Sequence, residues 1–252
     1  MRYTFLLAIL SLIACNDTRE DHKASSPDKA AHIVQEAIEQ HGGKLYDSVR
    51  ISFTFRNKAY TASRNKGRYI YTREFDDSAG VVYDRLDNDG FIRYLNDKKV
   101  ALNDTMTGRY AQSVNSVWYF ALLPFPLADP AVNLSYQGTS TVENNTYEMV
   151  RVSFDQAGGG EDHSDVFLYW FHSDHSSIGY MAYKYETEGG GVRFRKAVNK
   201  RERGGITFYD YENYKPAEKD TPLDKLDSLF VNGQLEKVSE ITLEDIKVEA
   251  GE

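Results

Sequence analysis

The residue with the most specific chemistry in this sequence is its single cysteine, Cys15. It follows a segment in which Arg2 supplies a positive charge and residues 5–13 form an apolar run. Such a run is too short to span a bilayer as a mature helix and is typical of a signal peptide. Residues 12–15, Leu-Ile-Ala-Cys, fit a lipobox, with an aliphatic residue at −3 and a small residue at −1. The pattern predicts cleavage before Cys15 and lipidation of its thiol, the nucleophile that takes up a diacylglyceryl group.

This segment predicts a lipid-anchored protein of the bacterial cell envelope. Residues 1–14 would be the signal peptide, and residues 15–26 the lipidated cysteine and a flexible polar tether. A multiply acylated cysteine is a stable anchor, because each buried CH₂ contributes about 0.8 kcal/mol. We expect attachment to the outer membrane, facing the periplasm or the cell surface. The alternative is an ordinary signal peptide with a chance cysteine.

Three histidines, His163, His172 and His175, lie close together in sequence among aspartates and serines. Imidazoles and carboxylates clustered in this way could bind zinc or serve a hydrolase. However, His172 and His175 are three residues apart in a predicted turn, and the sequence contains no H-E-x-x-H motif. A polar hairpin turn, in which Asp and Ser side chains bond to the backbone, is the simpler interpretation. We predict no metal site here.

Other motifs with known chemistry are incomplete. Residues 85–96 are similar to a calcium-binding loop, but Arg85 and Asn96 occupy the positions of acidic ligands. The glycine clusters at residues 158–160, 189–191 and 204–205 lack a following Lys-Ser or Lys-Thr and predict hairpin loops. The G-x-S-x-G motif of a nucleophile elbow does not occur. A Ser-His-Asp triad of distant residues stays open, but the sequence predicts no enzyme activity and no cofactor.

Charge and composition narrow the class of partner. The formal net charge is −8, which argues against nucleic acid, because phosphate backbones are bound chiefly by Lys and Arg. Tyr and Phe are abundant, with 18 and 13 copies, and aromatic residues favour β-strands. The rings concentrate in the C-terminal half, on both faces of the predicted strands. One face would be core, and the other would be either core or the lining of an apolar ligand cavity.

We select five candidate ligand-binding residues from this pattern. Trp118, Trp170, Tyr183 and Phe208 would line the cavity, because their rings supply large apolar areas, to which Trp and Tyr add a polar group. Arg195 belongs to a locally basic stretch and is a candidate for an anion-binding rim. The alternative for this stretch is a strand face exposed to solvent.

The elements that must position these residues follow from periodicity. Helices are predicted over residues 27–41, 107–123 and 222–230, each with an apolar stripe at helical spacing. Strands with alternating or continuous apolar residues are predicted from residue 49 to residue 95 and from residue 134 to residue 211. A last strand is predicted at residues 241–248. Short turns between strands indicate an antiparallel meander, and residues 27–252 are predicted to form one domain.

A helix ending in His-Gly-Gly at residues 41–43, a strand meander, mid-chain helices and further strands resemble the bacterial lipoprotein carriers LolA and LolB. This resemblance implies an α+β fold, mostly antiparallel β, with a curved sheet or half-open barrel and a few covering helices over an apolar cavity. Residues 178–180, 193–195 and 210–214 also resemble a family of uncharacterised envelope lipoproteins. The predicted lipid anchor on Cys15 resembles that of LolB, whereas the charged segment after Pro216 departs from the carrier pattern.

Together these observations predict a non-enzymatic, membrane-anchored lipoprotein that binds a lipid or other apolar ligand in a cavity under a helical lid. One alternative is an envelope lipoprotein that has a structural or protein-binding role without a small ligand. A second alternative is an envelope hydrolase that uses the region of His163, His172 and His175. The expected partners are the membrane, reached through Cys15, an apolar ligand and an envelope protein.

Overall fold

Helix α1 (Pro27–His41) begins the part of the chain that the computed structural model describes, which comprises residues 27–155, 165–186 and 189–251. The predicted apolar stripe of this helix is buried against the second of two sheets. The helix ends at Gly42, whose positive φ of 146° suits glycine. Ser26, Cys15 and His163 lie outside the described residues. A short 3₁₀ turn, Gly43–Asp47, leads into the first strand.

The first sheet is an antiparallel meander with one late addition. Its strands pair in the order β14-β1-β2-β3-β4-β5-β6. The first hairpin turns at Arg56 and Asn57, whose positive φ angles match the twist of the flanking strands. The strands are β1 (Ser48–Phe55), β2 (Lys58–Asn65), β3 (Arg68–Asp77), β4 (Gly80–Asp87), β5 (Gly90–Leu95), β6 (Lys98–Lys99) and β14 (Glu244–Ala250).

The second sheet contains the other seven strands, again all antiparallel, in the order β13-β12-β11-β10-β9-β8-β7. Both of its faces are apolar near β9 to β12, as the continuous apolar run of β9 predicted. The strands are β7 (Val132–Val142), β8 (Asn145–Phe154), β9 (Val166–His172), β10 (Ile178–Tyr185), β11 (Gly191–Arg203), β12 (Ile206–Lys215) and β13 (Glu236–Ile241).

The prediction of one last strand at residues 241–248 is wrong. Two strands, β13 and β14, stand there, and they form the edges of different sheets. The chain crosses between the sheets at Leu243, which is buried and whose N–H donates to the Asp210 carboxylate at 3.0 Å. Strand β13 has little apolar periodicity, so its place is decided by the free edge of β12 and not by local pattern.

Two further helices cover the sheets. Helix α2 (Asp104–Ala121) begins three residues before its predicted start, because the Asn103 side chain accepts from the backbone N–H of Met106 at 2.9 Å. Helix α3 (Leu226–Val231) follows a 3₁₀ turn at Leu223–Lys225. Before this turn, the Thr221 hydroxyl donates to the Glu218 carbonyl at 2.6 Å.

Helix α2 lies between the two sheets and contacts both. Val114, Trp118 and Leu122 point into an apolar cluster on the first sheet, and Tyr119 and Phe120 pack on the second. The other face of the second sheet is covered by α3. The predicted α+β class, mostly antiparallel β, is therefore confirmed, with the strands divided between two curved sheets. Within the described residues neither sheet closes into a barrel.

Candidate functional site

A cavity of about 190 Å³ lies between α2 and the strands β11 and β12. Its lining is mainly aromatic and aliphatic, and the two charged residues in it are both arginines. The lining residues are Phe55, Arg56, Ser116, Val117, Phe120, Ala121, Arg195, Tyr209, Tyr211, Ile241 and Leu243. The site is thus an apolar pocket with positive charge and, among the residues that the structure describes, no acidic lining residue.

Regular secondary structure brings these side chains together. Ser116, Val117, Phe120 and Ala121 are spaced by one, three and one residues, so they share one face of α2. Tyr209 and Tyr211 are two apart on β12 and therefore point to the same face of the second sheet. The cavity is the space left where this helical face and this strand face do not fully interdigitate.

Arg195 is the most unusual group in the cavity. The residue is 7% exposed, and its Nη2 donates to the Tyr183 hydroxyl at 2.7 Å. The guanidinium carbon lies 4.0 Å from the centre of the Phe120 ring, within cation–π distance. Its Nε and Nη1 have no hydrogen-bond partner among the described residues. The cavity therefore holds a buried cation with free donor groups.

The tyrosines around the cavity are held in their neutral form. Burial raises the pKa of Tyr211, although the charge of Arg195 acts in the opposite direction. Behind the lining, the hydroxyls of Tyr119 and Tyr169 share a hydrogen bond of 2.9 Å, and burial raises the pKa of both. Neutral phenols supply hydrogen bonds and apolar area but no negative charge. They suit the wall of a binding pocket.

The structure brings two of the five predicted ligand-binding residues to the cavity. Arg195 lines it, and Tyr183 adjoins it through the hydrogen bond to Arg195 and a ring contact of 5.8 Å with Phe120. Trp118 is fully buried on the first-sheet side of α2, stacked on Tyr71 at 5.2 Å. The structure therefore does not place it in the lining, because its indole fills the core.

Phe208 and Trp170 are also core residues. Phe208 points into the cluster on the first sheet, whereas its neighbours Tyr209 and Tyr211 line the cavity. Trp170 lies on the opposite face of the second sheet, in edge contact with Phe194 at 5.6 Å. Both strand faces are apolar here, so the sequence could not show which of two adjacent aromatic residues faces the cavity. The alternation itself was the available signal for Tyr209 and Tyr211.

The histidine region forms a polar turn in the described part of the chain. The rings of His172 and His175 stack with their centres 3.7 Å apart, and His175 Nδ1 is 2.8 Å from the Ser177 hydroxyl. Burial and the neighbouring His172 lower the pKa of His175. Among described residues there is no group of three His, Cys, Asp or Glu side chains arranged to hold a metal ion.

A polar network attaches α2 to the first sheet. Asp84, fully buried, accepts four hydrogen bonds of 2.6–2.9 Å from Arg73 and Arg93. Arg73 also donates to the Ser113 hydroxyl on α2 at 2.7 Å, and Arg93 lies 3.4 Å from the centre of the Tyr110 ring of α2. These contacts fix α2 to the first sheet, whereas the second sheet meets α2 mainly through aromatic rings.

Comparison with known proteins identifies a family and a fold. The sequence model of a family of unknown function (DUF6503) matches residues 2–244. No curated protein matches the chain in sequence. A LolA superfamily protein from Nitrosomonas europaea superposes with a TM-score of 0.50 at 13% identity, over 86% of this chain and 92% of that one. This likeness shows the LolA-like fold and does not identify a ligand.

Two other solved structures have lower TM-scores. One is described as an outer membrane lipoprotein-sorting protein domain from Vibrio parahaemolyticus, with a TM-score of 0.49 and 10% identity over 90% of this chain and 94% of that one. The other is a DUF1329 family protein from Desulfovibrio piger, with a TM-score of 0.45 and 9% identity over 87% and 91%. None of the helices in the described residues has the length and apolar character to cross a membrane.

Proposed function

The chain belongs to the DUF6503 family, whose function is unknown, and from this premise we propose that it is a membrane-anchored lipoprotein that binds an apolar ligand beside α2. The observation that carries the proposal is the cavity of about 190 Å³ with its aromatic and aliphatic lining. An apolar protein cavity of about 150 Å³ is large enough to bind benzene. The proposed role is binding, in which the tyrosine, serine and arginine side chains of the lining supply the polar contacts.

Helix α2 would act as the lid. Its attachment to the first sheet uses charged hydrogen bonds, which are short and directional. Its contact with the second sheet uses rings, for example Tyr119 against Phe167 with centres 5.8 Å apart. Apolar contacts are less directional than charge-assisted hydrogen bonds, so the α2–second-sheet boundary is where a ligand would enter.

The anchor would be Cys15, with residues 1–14 removed and residues 15–26 serving as tether. The proposal rests on the lipobox pattern of the sequence and includes a single folded domain over residues 27–252. A lipid on Cys15 would hold the cavity within a tether's length of a membrane that can supply or receive an apolar ligand. The membrane and that ligand are the partners we propose.

The cavity proposal is tested by mass spectrometry of organic extracts from protein purified out of its native membrane. We expect one stoichiometric apolar species from the unmodified protein. Ala121→Phe places a ring in the cavity and should abolish recovery of this species. Asn115→Phe, which adds the same ring to an exposed position of α2, should not. Equal recovery from both variants would refute binding in this cavity, and reproducible co-purification of one protein without ligand would favour the protein-binding alternative.

The anchor proposal is tested separately. We expect Cys15→Ala to abolish incorporation of labelled acyl chains. The variant should accumulate as uncleaved precursor and be lost from the outer membrane fraction. Ser11→Ala, within the same segment but outside the −3 to +1 positions, is the control. Acyl labelling that persists in Cys15→Ala would refute the anchor.

A further inference from the structure

We propose that the ligand of this cavity is a single-chain carboxylate, a short acyl chain whose carboxylate is bound by Arg195. The inference deepens the proposed function and rests on it, since it assigns the ligand class of the same cavity. The geometry that points to it is the guanidinium of a lining residue that is 7% exposed, whose Nε and Nη1 are buried without a hydrogen-bond partner among the described residues.

The buried positive charge of Arg195 carries a free-energy cost. An arginine stays protonated in proteins, so burial of Arg195 removes a full positive charge from water. Two arginines in the described chain are less than one-tenth exposed, Arg73 and Arg195. Arg73 is paired with Asp84 at 2.6 Å, whereas no carboxylate of the described residues forms an ion pair with Arg195. An anionic ligand would supply the missing partner.

Two contacts orient the guanidinium of Arg195 in the cavity. Tyr183 accepts from Nη2 at 2.7 Å, and the Phe120 ring stacks near the guanidinium carbon at 4.0 Å. These contacts hold the group in place and leave Nε and Nη1 without a partner among the described residues. A guanidinium presents parallel N–H groups that fit the two oxygens of a carboxylate. The pocket is thus organised around one planar cation before any ligand binds.

The rest of the lining combines a second positive charge with an apolar wall. Arg56 is the other charged lining residue, so the described wall carries two positive charges in a chain with a net charge of −8. Such a local reversal of sign attracts anions. The remaining wall, including Val117 and Ala121, is apolar and would contact an alkyl chain. One inner guanidinium matches a carboxylate, whereas a phosphate, with more charge and three acceptor oxygens, needs more donors.

The test uses the full-length protein in lipid nanodiscs and three probes with the same chain: octanoate, octanol and octyl phosphate. Binding of [1-¹³C]octanoate is followed by carbon-13 NMR of its carboxyl group, with protein-free nanodiscs as the blank. We expect octanoate to bind about 10- to 100-fold more tightly than octanol, and more tightly than octyl phosphate. Arg195→Gln should reduce octanoate affinity to that of octanol.

Arg193→Gln is the matched control, because Arg193 lies two residues away on β11, is only partly buried and donates to the Val192 carbonyl at 2.9 Å. It should leave octanoate binding unchanged. Melting curves establish that the variants fold, and if Arg195→Gln does not fold, the comparison of probes on the unmodified protein decides.

The outcomes separate this inference from the function on which it rests. Equal affinity for octanoate and octanol would overturn the carboxylate assignment and leave apolar binding intact. Tighter binding of octyl phosphate would overturn it in favour of a phosphorylated ligand. Binding of none of the probes, together with empty organic extracts, would overturn both. An octanoate preference that disappears in Arg195→Gln and persists in Arg193→Gln would establish the assignment.

Discussion

Replacing Asp84 with alanine should destabilise the protein strongly. The carboxylate is fully buried and accepts four hydrogen bonds from two arginines, whose side chains are 7% and 13% exposed. Asp84→Ala removes the shared partner and leaves two guanidinium groups with little access to water. Breaking a buried ion pair from one side typically costs about 3–5 kcal/mol, because the remaining charge is uncompensated.

This loss can be measured by urea unfolding followed through tryptophan fluorescence, since Trp118 on α2 is buried in the apolar cluster on the first sheet. For a domain of this size, the same loss corresponds to a fall in Tm of roughly 6–20 °C. Asp89→Ala is the control, because Asp89 is 82% exposed and its ion pair with Arg68 spans 3.5 Å. An exposed pair of this kind contributes at most about 1 kcal/mol.

A second variant examines the mechanism of the loss. Arg73→Met/Asp84→Leu/Arg93→Met replaces all three charged groups with apolar side chains of similar size, so no unpaired charge remains. Such replacements are often neutral or stabilising, and we expect most of the lost free energy of unfolding to return. The reasoning is refuted if Asp84→Ala costs no more than Asp89→Ala, or if the triple variant is less stable than Asp84→Ala.

Three further predictions concern the core. Burial lowers the pKa of His41 to about 4, from about 6.5 in the unfolded chain, so between these values only the unfolded chain binds the proton. The free energy of unfolding should therefore fall as pH drops through this window, by up to about 1.4 kcal/mol per pH unit. His41→Phe should remove this contribution. If urea unfolding shows the same dependence on pH in His41→Phe as in the unmodified protein, the lowered pKa is contradicted. Gly179→Ala should cost about 1–3 kcal/mol in urea unfolding, because the new Cβ would lie 2.4 Å from the Tyr147 ring; an unchanged midpoint would show that the ring yields freely. Trp170→Phe should leave recovery of the ligand in organic extracts unchanged, since Trp170 lies on the face of the second sheet away from the cavity. Loss of the ligand from this variant would show that Trp170 contributes to the binding site.

Much of the local structure could be predicted because it depends on nearby residues. The apolar spacing in residues 27–41 predicted α1 and its buried face, and that in residues 107–123 predicted most of α2. Turn residues between alternating strands predicted the hairpins from β1 to β5. Periodicity and turn chemistry act over a few residues, so they are visible without the fold.

Where contacts join distant segments, prediction was less successful. Strands β13 and β14 belong to different sheets because each pairs with a free edge supplied by a strand far away in sequence. Trp118, Trp170 and Phe208 were selected as lining residues, but all three are buried in the core. A ring lines the cavity only if its face of the strand or helix meets a gap, and the sequence does not show which face does. Arg195 was selected for its basic neighbourhood, but its burial, with Nε and Nη1 unpaired among the described residues, appears only in the structure.

The sequence by itself determined the lipobox at Cys15, the antiparallel β-rich class, the helix positions and the resemblance to LolA-like carriers. Lipidation of Cys15 stays a prediction. Only the tertiary structure decided that α2 lies between two sheets, that a cavity remains on one side of it, and that Arg195 lines this cavity with Nε and Nη1 unpaired among the described residues. The physical reason is that a pattern of apolar residues specifies which side chains leave water, but not which of them meet, and a cavity is formed where distant surfaces fail to interdigitate.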